Sequence, residues 1–305
     1  MDSLRIPEVV IERVAGAVGS LKLDNASVVS PETIAATGFA VRRIASGEED
    51  LFGLSLRAAK AVTAGIAAGE IGGVVSATFS NKDRFPGLAV RIAAELGIGA
   101  TVPVVDLQAA CSAYPYALYV AGRLAADTGR KVLLIDGDVQ SPLTDAADAS
   151  TAPLFSDAST ATLIGAAARQ GNEPCDESCF AFLSRAGDAL MCPAEGPIRM
   201  DGFKVFSFVA ADVTKFLRGF GSDFDVFVPH QANMYMVRQL AKSLGLEDRL
   251  VTCGAEYANP GSASVPLALA LHAKAGSALL ASFGAGLSAS AASVRIAPGA
   301  ALGLS

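Results

Sequence analysis

The chain has 305 residues, of which 51% are hydrophobic and 18% are charged. This length suits one large domain or two closely packed halves with a sizeable core. The net charge of −6 gives no support for a nucleic-acid-binding surface, and the odd number of five cysteines argues against a disulfide framework. No signal peptide is visible and no apolar run is long and bulky enough for a bilayer, so we expect a cytoplasmic protein without a membrane segment.

The first half of the chain alternates between strand-like and helix-like patterns. Residues 6–23 have a helical or mixed pattern, and residues 37–45 are expected to form a solvated loop. The clearest helix covers 49–65, where Leu51, Leu54 and Ala58 fall on one stripe. Downstream, the pattern predicts strands at 72–77, 102–105 and 131–138 and helices at 86–96 and 117–126.

The second half repeats this alternation. Helices are predicted at 203–220, 234–244 and 264–275, and strands at 225–229, 277–283 and 288–296. Strands alternating with helices in two similar halves predict an α/β protein with a mostly parallel mixed sheet in each half. The join between the halves is expected between Gly165 and Pro193.

Cys111 lies where the strand at 102–105 gives way to the next helix. A thiol at a helix N-terminus feels the positive end of the helix dipole and the free N–H groups there, and both favour the thiolate. Cys111 is therefore a candidate nucleophile. The alternative is an inert cysteine of the core, because buried cysteines often behave as small apolar residues.

Two later motifs support the nucleophile hypothesis. Residues 229–233 read Pro-His-Gln-Ala-Asn, and residues 259–264 read Asn-Pro-Gly-Ser-Ala-Ser. With Ala-Ala-Cys-Ser-Ala at 109–113, in this order, the set resembles the ketoacyl-ACP synthase III family, the initiating condensing enzymes of the thiolase superfamily. The resemblance runs from about Thr37 to Ile296.

The resemblance implies a duplicated thiolase-like five-layer αβαβα fold with two mixed β-sheets. Residues 1–170 would form the half that carries the nucleophilic cysteine, and residues 171–305 the half that carries the histidine and the asparagine. The family works as a homodimer and needs no cofactor, and we expect neither a cofactor nor a metal here. Cys175 and Cys179 have metal-like spacing but lack a second ligand pair, so they are expected in a surface loop and strand.

The activity implied is that of a β-ketoacyl-ACP synthase III in fatty-acid or polyketide biosynthesis. An acyl group would load on Cys111 and then undergo decarboxylative Claisen condensation with a malonyl thioester, giving a 3-oxoacyl product. His230 and Asn259 would donate N–H groups to the enolate, and the backbone N–H groups of Cys111 and Gly286 would form the oxyanion hole. The alternatives are an acyltransferase that passes the acyl group to an oxygen or nitrogen nucleophile, and a non-catalytic subunit of a heteromeric synthase.

Three phenylalanines are candidates for the acyl pocket: Phe85, Phe155 and Phe283. Phe85 matches a position that in the family crosses the dimer interface into the partner's pocket, and the alternative is an ordinary core residue. Phe155 opens a segment expected beneath the nucleophile, in which Asp157 is expected to be a structural hydrogen-bonding residue.

Acyl carrier protein is the expected partner, and Arg238 and Lys242 are the first docking candidates. The family's clamp for the adenine of CoA uses Trp and Arg, whereas the chain has no Trp and no Arg in the corresponding segments 30–38 and 148–155. The primer, like the malonyl extender, is therefore expected mainly on the carrier. The alternative is that Arg42 and Arg43 replace the clamp. Lys204, Lys215 and Arg218 are weaker docking candidates.

Overall fold

A computed structural model describes residues 2–166 and 176–305. The strands are β1 (Leu4–Pro7), β2 (Val9–Val18), β3 (Leu21–Asp24), β4 (Val41–Ile44), β5 (Ile71–Ala77), β6 (Val104–Leu107), β7 (Lys131–Asp138), β8 (Ala158–Ala166), β9 (Glu177–Ser184), β10 (Leu190–Met191), β11 (Arg199–Met200), β12 (Val226–Pro229), β13 (Gly276–Gly284), β14 (Ser288–Ile296) and β15 (Ala301–Leu304). The helices are α1 (Pro31–Thr37), α2 (Leu51–Thr63), α3 (Leu88–Glu95), α4 (Ala113–Thr128), α5 (Gly202–Phe208), α6 (Thr214–Leu217), α7 (Met234–Leu244), α8 (Gly254–Tyr257) and α9 (Ser264–His272).

Eleven strands form one large sheet, and its strand order contains an internal repeat. In the first half β5 pairs parallel with β7, β7 antiparallel with β8, and β8 antiparallel with β2. In the second half β12 pairs parallel with β13, β13 antiparallel with β14, and β14 antiparallel with β9. With β6 at the outer edge of the first part and β1 at that of the second, each part has five strands, and a short parallel contact between β14 and β2 joins them. The eleventh strand, β15, pairs parallel with β2.

Helices cover both faces of each part of the sheet. α4 and α9 are buried between the two parts, and residues 264–270 of α9 are buried on every side of the helix. α2 and α3 pack on the outer face of the first part, and α5, α6 and α7 pack on the outer face of the second. These five layers confirm the predicted thiolase-like fold class. The predicted domain boundary at residues 170 and 171 lies outside the described residues.

The prediction for residues 6–23 is wrong where it favours a helix, because this segment forms the end of β1, β2 and most of β3. β2 lies inside the sheet, and its two faces contact two different cores: Val9, Ile11 and Val14 contact the central layer, and Ala15 and Ala17 the outer one. Apolar residues on both faces remove the alternation that marks a strand.

Two other segments contain structure that the sequence pattern did not predict. Residues 37–45, expected as a solvated loop, contain the end of α1 and all of β4. The segment that begins at Phe155 continues into the long strand β8. Cys179 lies in β9, as expected for the strand of that segment, whereas Cys175 lies outside the described residues.

Candidate active site

Cys111 lies in a single helical turn, 110–112, that leads directly into α4. The preceding residue, Ala110, has a φ of 44°, a left-handed conformation that costs free energy in a residue with a Cβ. The turn is anchored to β14, because the Ser112 hydroxyl lies 2.7 Å from the Ser288 hydroxyl and Ser290 donates a hydrogen bond of 2.6 Å to the Ser112 carbonyl. The surrounding structure therefore fixes the position of this turn and of the thiol that it carries.

The thiol of Cys111 is buried, with 5% of the residue exposed, and this corrects the expectation of a thiolate. Burial, reinforced by the negative charge of Asp138, raises the pKa of Cys111 to about 12. The loss of hydration outweighs the helix N-terminus, whose effect on a charge is modest. Cys111 therefore rests as a thiol before substrate binds.

His230 follows β12 and lies almost completely buried. Burial lowers its pKa to about 3, so the imidazole is neutral across the ordinary pH range. Its Nδ1 lies 2.6 Å from the hydroxyl of Ser264, and that hydroxyl accepts the backbone N–H of Gln231 at 3.4 Å. Within the described residues Nδ1 is the one acceptor that the Ser264 hydroxyl contacts, so we assign the hydroxyl proton to this bond. A hydroxyl that donates to Nδ1 fixes the tautomer with the proton on Nε2. Ser264 therefore makes the other ring nitrogen a hydrogen-bond donor.

Asn259 is held in place by both halves of the molecule. Its backbone N–H donates to Leu154 at 2.9 Å, and its carbonyl accepts from the Ser156 N–H at 3.0 Å. Its side-chain oxygen accepts the Gly261 N–H at 3.0 Å, which leaves the amide nitrogen as the group available to donate elsewhere. Ala258, just before it, has a φ of 49°, so both Cys111 and Asn259 follow an alanine in the left-handed region.

Cys111, His230 and Asn259 line one cavity of about 70 Å³ together with Phe155 and Phe283. The ring of Phe283 contacts that of His230 edge to face at 5.4 Å. The structure thus brings together a thiol, two N–H donors and two of the three predicted pocket phenylalanines in a small, mainly apolar space. Such a space strengthens hydrogen bonds to a developing negative charge.

Comparison with known proteins identifies the fold and the family. The family model "3-Oxoacyl-[acyl-carrier-protein (ACP)] synthase III" matches residues 105–180, and the model of its C-terminal domain matches residues 221–296. A curated β-ketoacyl-[acyl-carrier-protein] synthase III from Shewanella oneidensis is 35% identical over 287 residues, which cover 85% of this chain and 88% of the relative. The chain belongs to the 3-oxoacyl-ACP synthase III family.

Solved structures of the family superpose along almost the whole chain. A 3-oxoacyl-(acyl-carrier-protein) synthase from Burkholderia xenovorans matches with a TM-score of 0.90 at 26% identity, covering 99% of this chain and 98% of its own. The synthase III from Pseudomonas aeruginosa matches with a TM-score of 0.85 at 31% identity, covering 95% and 98%. These findings confirm the predicted family and the predicted condensing-enzyme class.

The glycine nearest the thiol in this member of the family is Gly284, at the end of β13. A Cβ built on Gly284 would lie 2.7 Å from the Cβ of Cys111, so a side chain is excluded there. Gly286 lies two residues further on in the turn and is not among the residues that line the cavity. Its role as the second oxyanion donor stays a prediction.

Phe85 lies on the surface of the chain, with 85% of the residue exposed, and does not line the cavity of its own chain. The alternative of an ordinary core phenylalanine is therefore wrong for the single chain.

Asp157 is fully buried and accepts hydrogen bonds from the backbone of Ala45, Gln140 and Ser141. This is the structural role that the sequence predicts for it.

The docking candidates Arg238 and Lys242 are both exposed on α7, and they make no ion pair within residues 2–166 and 176–305. Tyr235 on the same helix is 54% exposed, and its ring stacks against Phe206 of α5 at 6.3 Å. Phe203, one turn before Phe206, is 80% exposed. These aromatic residues flank Gly202, Val205 and Met236, which line the cavity.

Sequence reasoning missed Ser264, Gln231 and the two strained alanines. Ser264 lies in the motif at 259–264, and its place there predicts only the start of a helix. Gln231 joins the histidine loop to the next segment, since its amide donates to Pro229 and accepts the N–H groups of Cys253 and Gly254. The spacing of a motif gives no information on these contacts, which depend on the packing of distant segments.

Proposed function

We propose that this protein loads an acyl primer on Cys111 and condenses it with a malonyl thioester carried by acyl carrier protein. The observation that supports this most strongly is the convergence of Cys111, His230 and Asn259 on one small cavity, with His230 neutral and bonded to Ser264 through Nδ1. The relatives from Shewanella oneidensis and Pseudomonas aeruginosa carry the name of this activity.

In the first step the Cys111 sulfur attacks the thioester carbonyl of the primer. The bond from carbon to the donor sulfur breaks, and the departing thiol takes up the proton that Cys111 loses. Because Cys111 rests as a thiol, no charged nucleophile is stored in the buried site. The attacking form is produced only when a thioester is in place to receive the proton on its leaving group.

In the second step the malonyl thioester loses carbon dioxide, and the electron pair of the broken bond forms an enolate. The enolate oxygen accepts the Nε2–H of His230 and the amide N–H of Asn259. A neutral histidine suits this role, since it donates without first needing a proton from solvent. The enolate carbon then attacks the acyl carbonyl on Cys111, and the carbon–sulfur bond breaks to release the 3-oxoacyl thioester. The departing Cys111 thiolate takes up a proton from water and returns to the thiol of the resting site.

The carrier protein would dock on the surface formed by Arg238, Lys242 and the exposed rings of Phe203, Phe206 and Tyr235. Positive charge beside an apolar rim suits an acidic partner whose thioester arm enters the cavity next to it. Arg42, one of the residues weighed as a substitute clamp for CoA, is buried and bonded to Asn25. Arg43, the other residue of that alternative, is half-buried, and its guanidinium lies over the Tyr257 ring at 5.9 Å from the centroid. The burial of Arg42 favours delivery of the primer, as well as the extender, on the carrier.

A homodimer would give the exposed Phe85 a partner. Phe85 is 85% exposed in the single chain, and the family uses this position across its dimer interface. All four cysteines of the described ranges are free thiols, which is consistent with the reducing cytoplasm as the location. Within those ranges no helix has the length and apolarity to cross a membrane.

His230→Ala and Asn259→Ala test the condensation step. Each variant should still gain the mass of the primer on Cys111 but release carbon dioxide from malonyl carrier about 10²–10³-fold more slowly. His272→Ala is the matched control, because His272 is exposed at the end of α9. Unchanged carbon dioxide release in both active-site variants would rule out the assigned roles.

Arg238→Glu and Lys242→Glu together test docking and delivery. The double variant should load the primer from carrier protein at least about tenfold more slowly, since reversed charges at a rim lower the association rate, while loading from CoA changes little. Lys60→Glu on α2 is the control, because α2 lies on the opposite outer layer. Equal loading of the unmodified protein from CoA and from carrier would contradict carrier delivery.

A further inference from the structure

Asp136 is a buried acid that the mechanism above does not use. It is 1% exposed, and neither oxygen of its carboxyl group has a hydrogen-bond partner among the residues that the structure describes. An ionised carboxylate in this position would lack both water and donors, which is among the most costly arrangements in a protein interior. A protonated carboxylic acid avoids most of that cost.

The neighbour of Asp136 on the same strand face is Asp138, and its surroundings are different. Asp138 accepts hydrogen bonds from the Thr78 hydroxyl at 3.0 Å, the Phe79 N–H at 3.0 Å, and the N–H and hydroxyl of Ser262 at 3.2 and 2.7 Å. Burial raises the pKa of Asp138, and these four donors oppose that rise because they stabilise the ionised form. The Ser262 hydroxyl lies beside both acids, but its single proton is donated to Asp138.

Burial, together with the charge of Asp138, raises the pKa of Asp136 well above its ordinary value. The two acids thus hold one proton between them, with Asp138 ionised and Asp136 neutral. This division is the usual result when two carboxyl groups share a buried site and only one has donors.

Both acids lie close to the nucleophile, because β7 and the turn at 110–112 pack against the same short turn at 261–263. The charge of Asp138 acts on Cys111, and an ionised Asp136 would add its own charge, acting on Cys111 and on Tyr114 in the first turn of α4. Across the strand pair Asp136 faces Thr160 of β8, which is uncharged, and Ala77 of β5. Asp138, Cys111 and Tyr114 are therefore the titratable groups that face it. Asp136 does not line the substrate cavity, so its influence on the reaction is through charge rather than contact.

We propose that Asp136 stays protonated while the enzyme works, and that loss of its proton in alkaline solution places a second negative charge close to Cys111 and slows thioester loading. This inference rests on the proposed function for its catalytic consequence. Thioester attack and enolate formation both build negative charge in the cavity, and a second carboxylate near the sulfur opposes each of them. Asp136 thereby sets the alkaline limit of the reaction, since His230 is neutral throughout that range.

The variant Asp136→Asn keeps the shape of the side chain and replaces the titratable carboxyl group with an amide that stays neutral. We would measure primer loading on Cys111 and alkylation of Cys111 by iodoacetamide, both by mass spectrometry, from about pH 6 to about pH 10. At neutral pH the variant and the wild type should react alike. At the alkaline end the variant should react about tenfold faster, because it carries no second negative charge to oppose the thiolate. Asp223→Asn, which changes an exposed carboxylate, is the control.

Identical pH profiles for Asp136→Asn and the wild type would overturn the proposal, as would a tenfold acceleration already at neutral pH, because that result requires an ionised Asp136. Infrared spectroscopy gives a second reading on the folded wild-type protein. The wild type should show the carbonyl band of a buried protonated acid at neutral pH, and its absence would overturn the proposal even if the variant does not fold. Alkylation and the infrared band need no thioester chemistry, so a failure of the proposed function would appear separately, as a lack of loading in every variant.

Discussion

Ser264→Ala tests how the protein orients the imidazole of its active-site histidine. The substitution removes the hydroxyl that lies 2.6 Å from Nδ1 of His230, whose side chain is almost completely buried. A buried acceptor left without its donor costs about 1–3 kcal/mol, which is about 5- to 150-fold in the balance between the two tautomers. The tautomer with the proton on Nδ1 turns Nε2 into an acceptor, and Nε2 then no longer stabilises an enolate.

The rate of carbon dioxide release from malonyl carrier should therefore fall by about 10- to 100-fold in Ser264→Ala. Loading of the primer on Cys111, followed by intact-protein mass, should be nearly unchanged, because the imidazole has no part in that step. Ser282→Ala is the matched control: Ser282 is 1% exposed on β13, and its hydroxyl has no partner within the described residues. Wild-type decarboxylation in Ser264→Ala, or an equal loss of loading, would refute this assignment.

Three further substitutions or conditions test the geometry around the site. Gly284→Ala places a methyl group 2.7 Å from the Cys111 Cβ and should slow loading by about 10²-fold, whereas Gly99→Ala, with open space around it, should load normally. Ala110→Val should lower the free energy of unfolding in urea by about 1–3 kcal/mol and Ala110→Gly should not, because φ there is 44°. With the pKa of His230 lowered to about 3, decarboxylation should show no step near pH 6.5, and the free energy of unfolding should fall as pH drops from about 6.5 towards 3 because only the unfolded chain takes up the proton. A decarboxylation step near pH 6.5, normal loading in Gly284→Ala, or equal stability of the two Ala110 variants would each contradict the corresponding statement.

The sequence predicts the bounds of an element well when that element buries only one face, because its apolar residues then recur at a regular spacing. α2 runs from Leu51 to Thr63 within the predicted 49–65, and α7 begins and ends at the predicted residues Met234 and Leu244. Both helices lie on an outer layer, so each has one apolar stripe that packs on the sheet and one polar stripe on its other side. The central strand β2 has apolar residues on two faces, and for that reason its pattern was ambiguous.

The ionisation state of Cys111 shows a different reason for a wrong expectation. Position at a helix N-terminus is visible in a sequence, but the burial of the thiol and the carboxyl groups close to it depend on β7 and on the short turn before α9. The same holds for Ser264 and Asp136, whose importance comes from what they contact or do not contact. Local spacing identified the reactive groups, whereas long-range packing decides their protonation.

The most direct test of the account is the mass of the carrier-bound product after a single turnover. Unmodified protein, an isotopically labelled acyl thioester and malonyl carrier would be mixed, and the carrier would be examined by intact mass alongside the same reaction with Cys111→Ala. The account predicts a carrier that has lost carbon dioxide and gained the labelled acyl group through a carbon–carbon bond, and no such product with Cys111→Ala. Label found only as an ester or amide on an oxygen or nitrogen nucleophile, or a 3-oxoacyl carrier formed without Cys111, would contradict it.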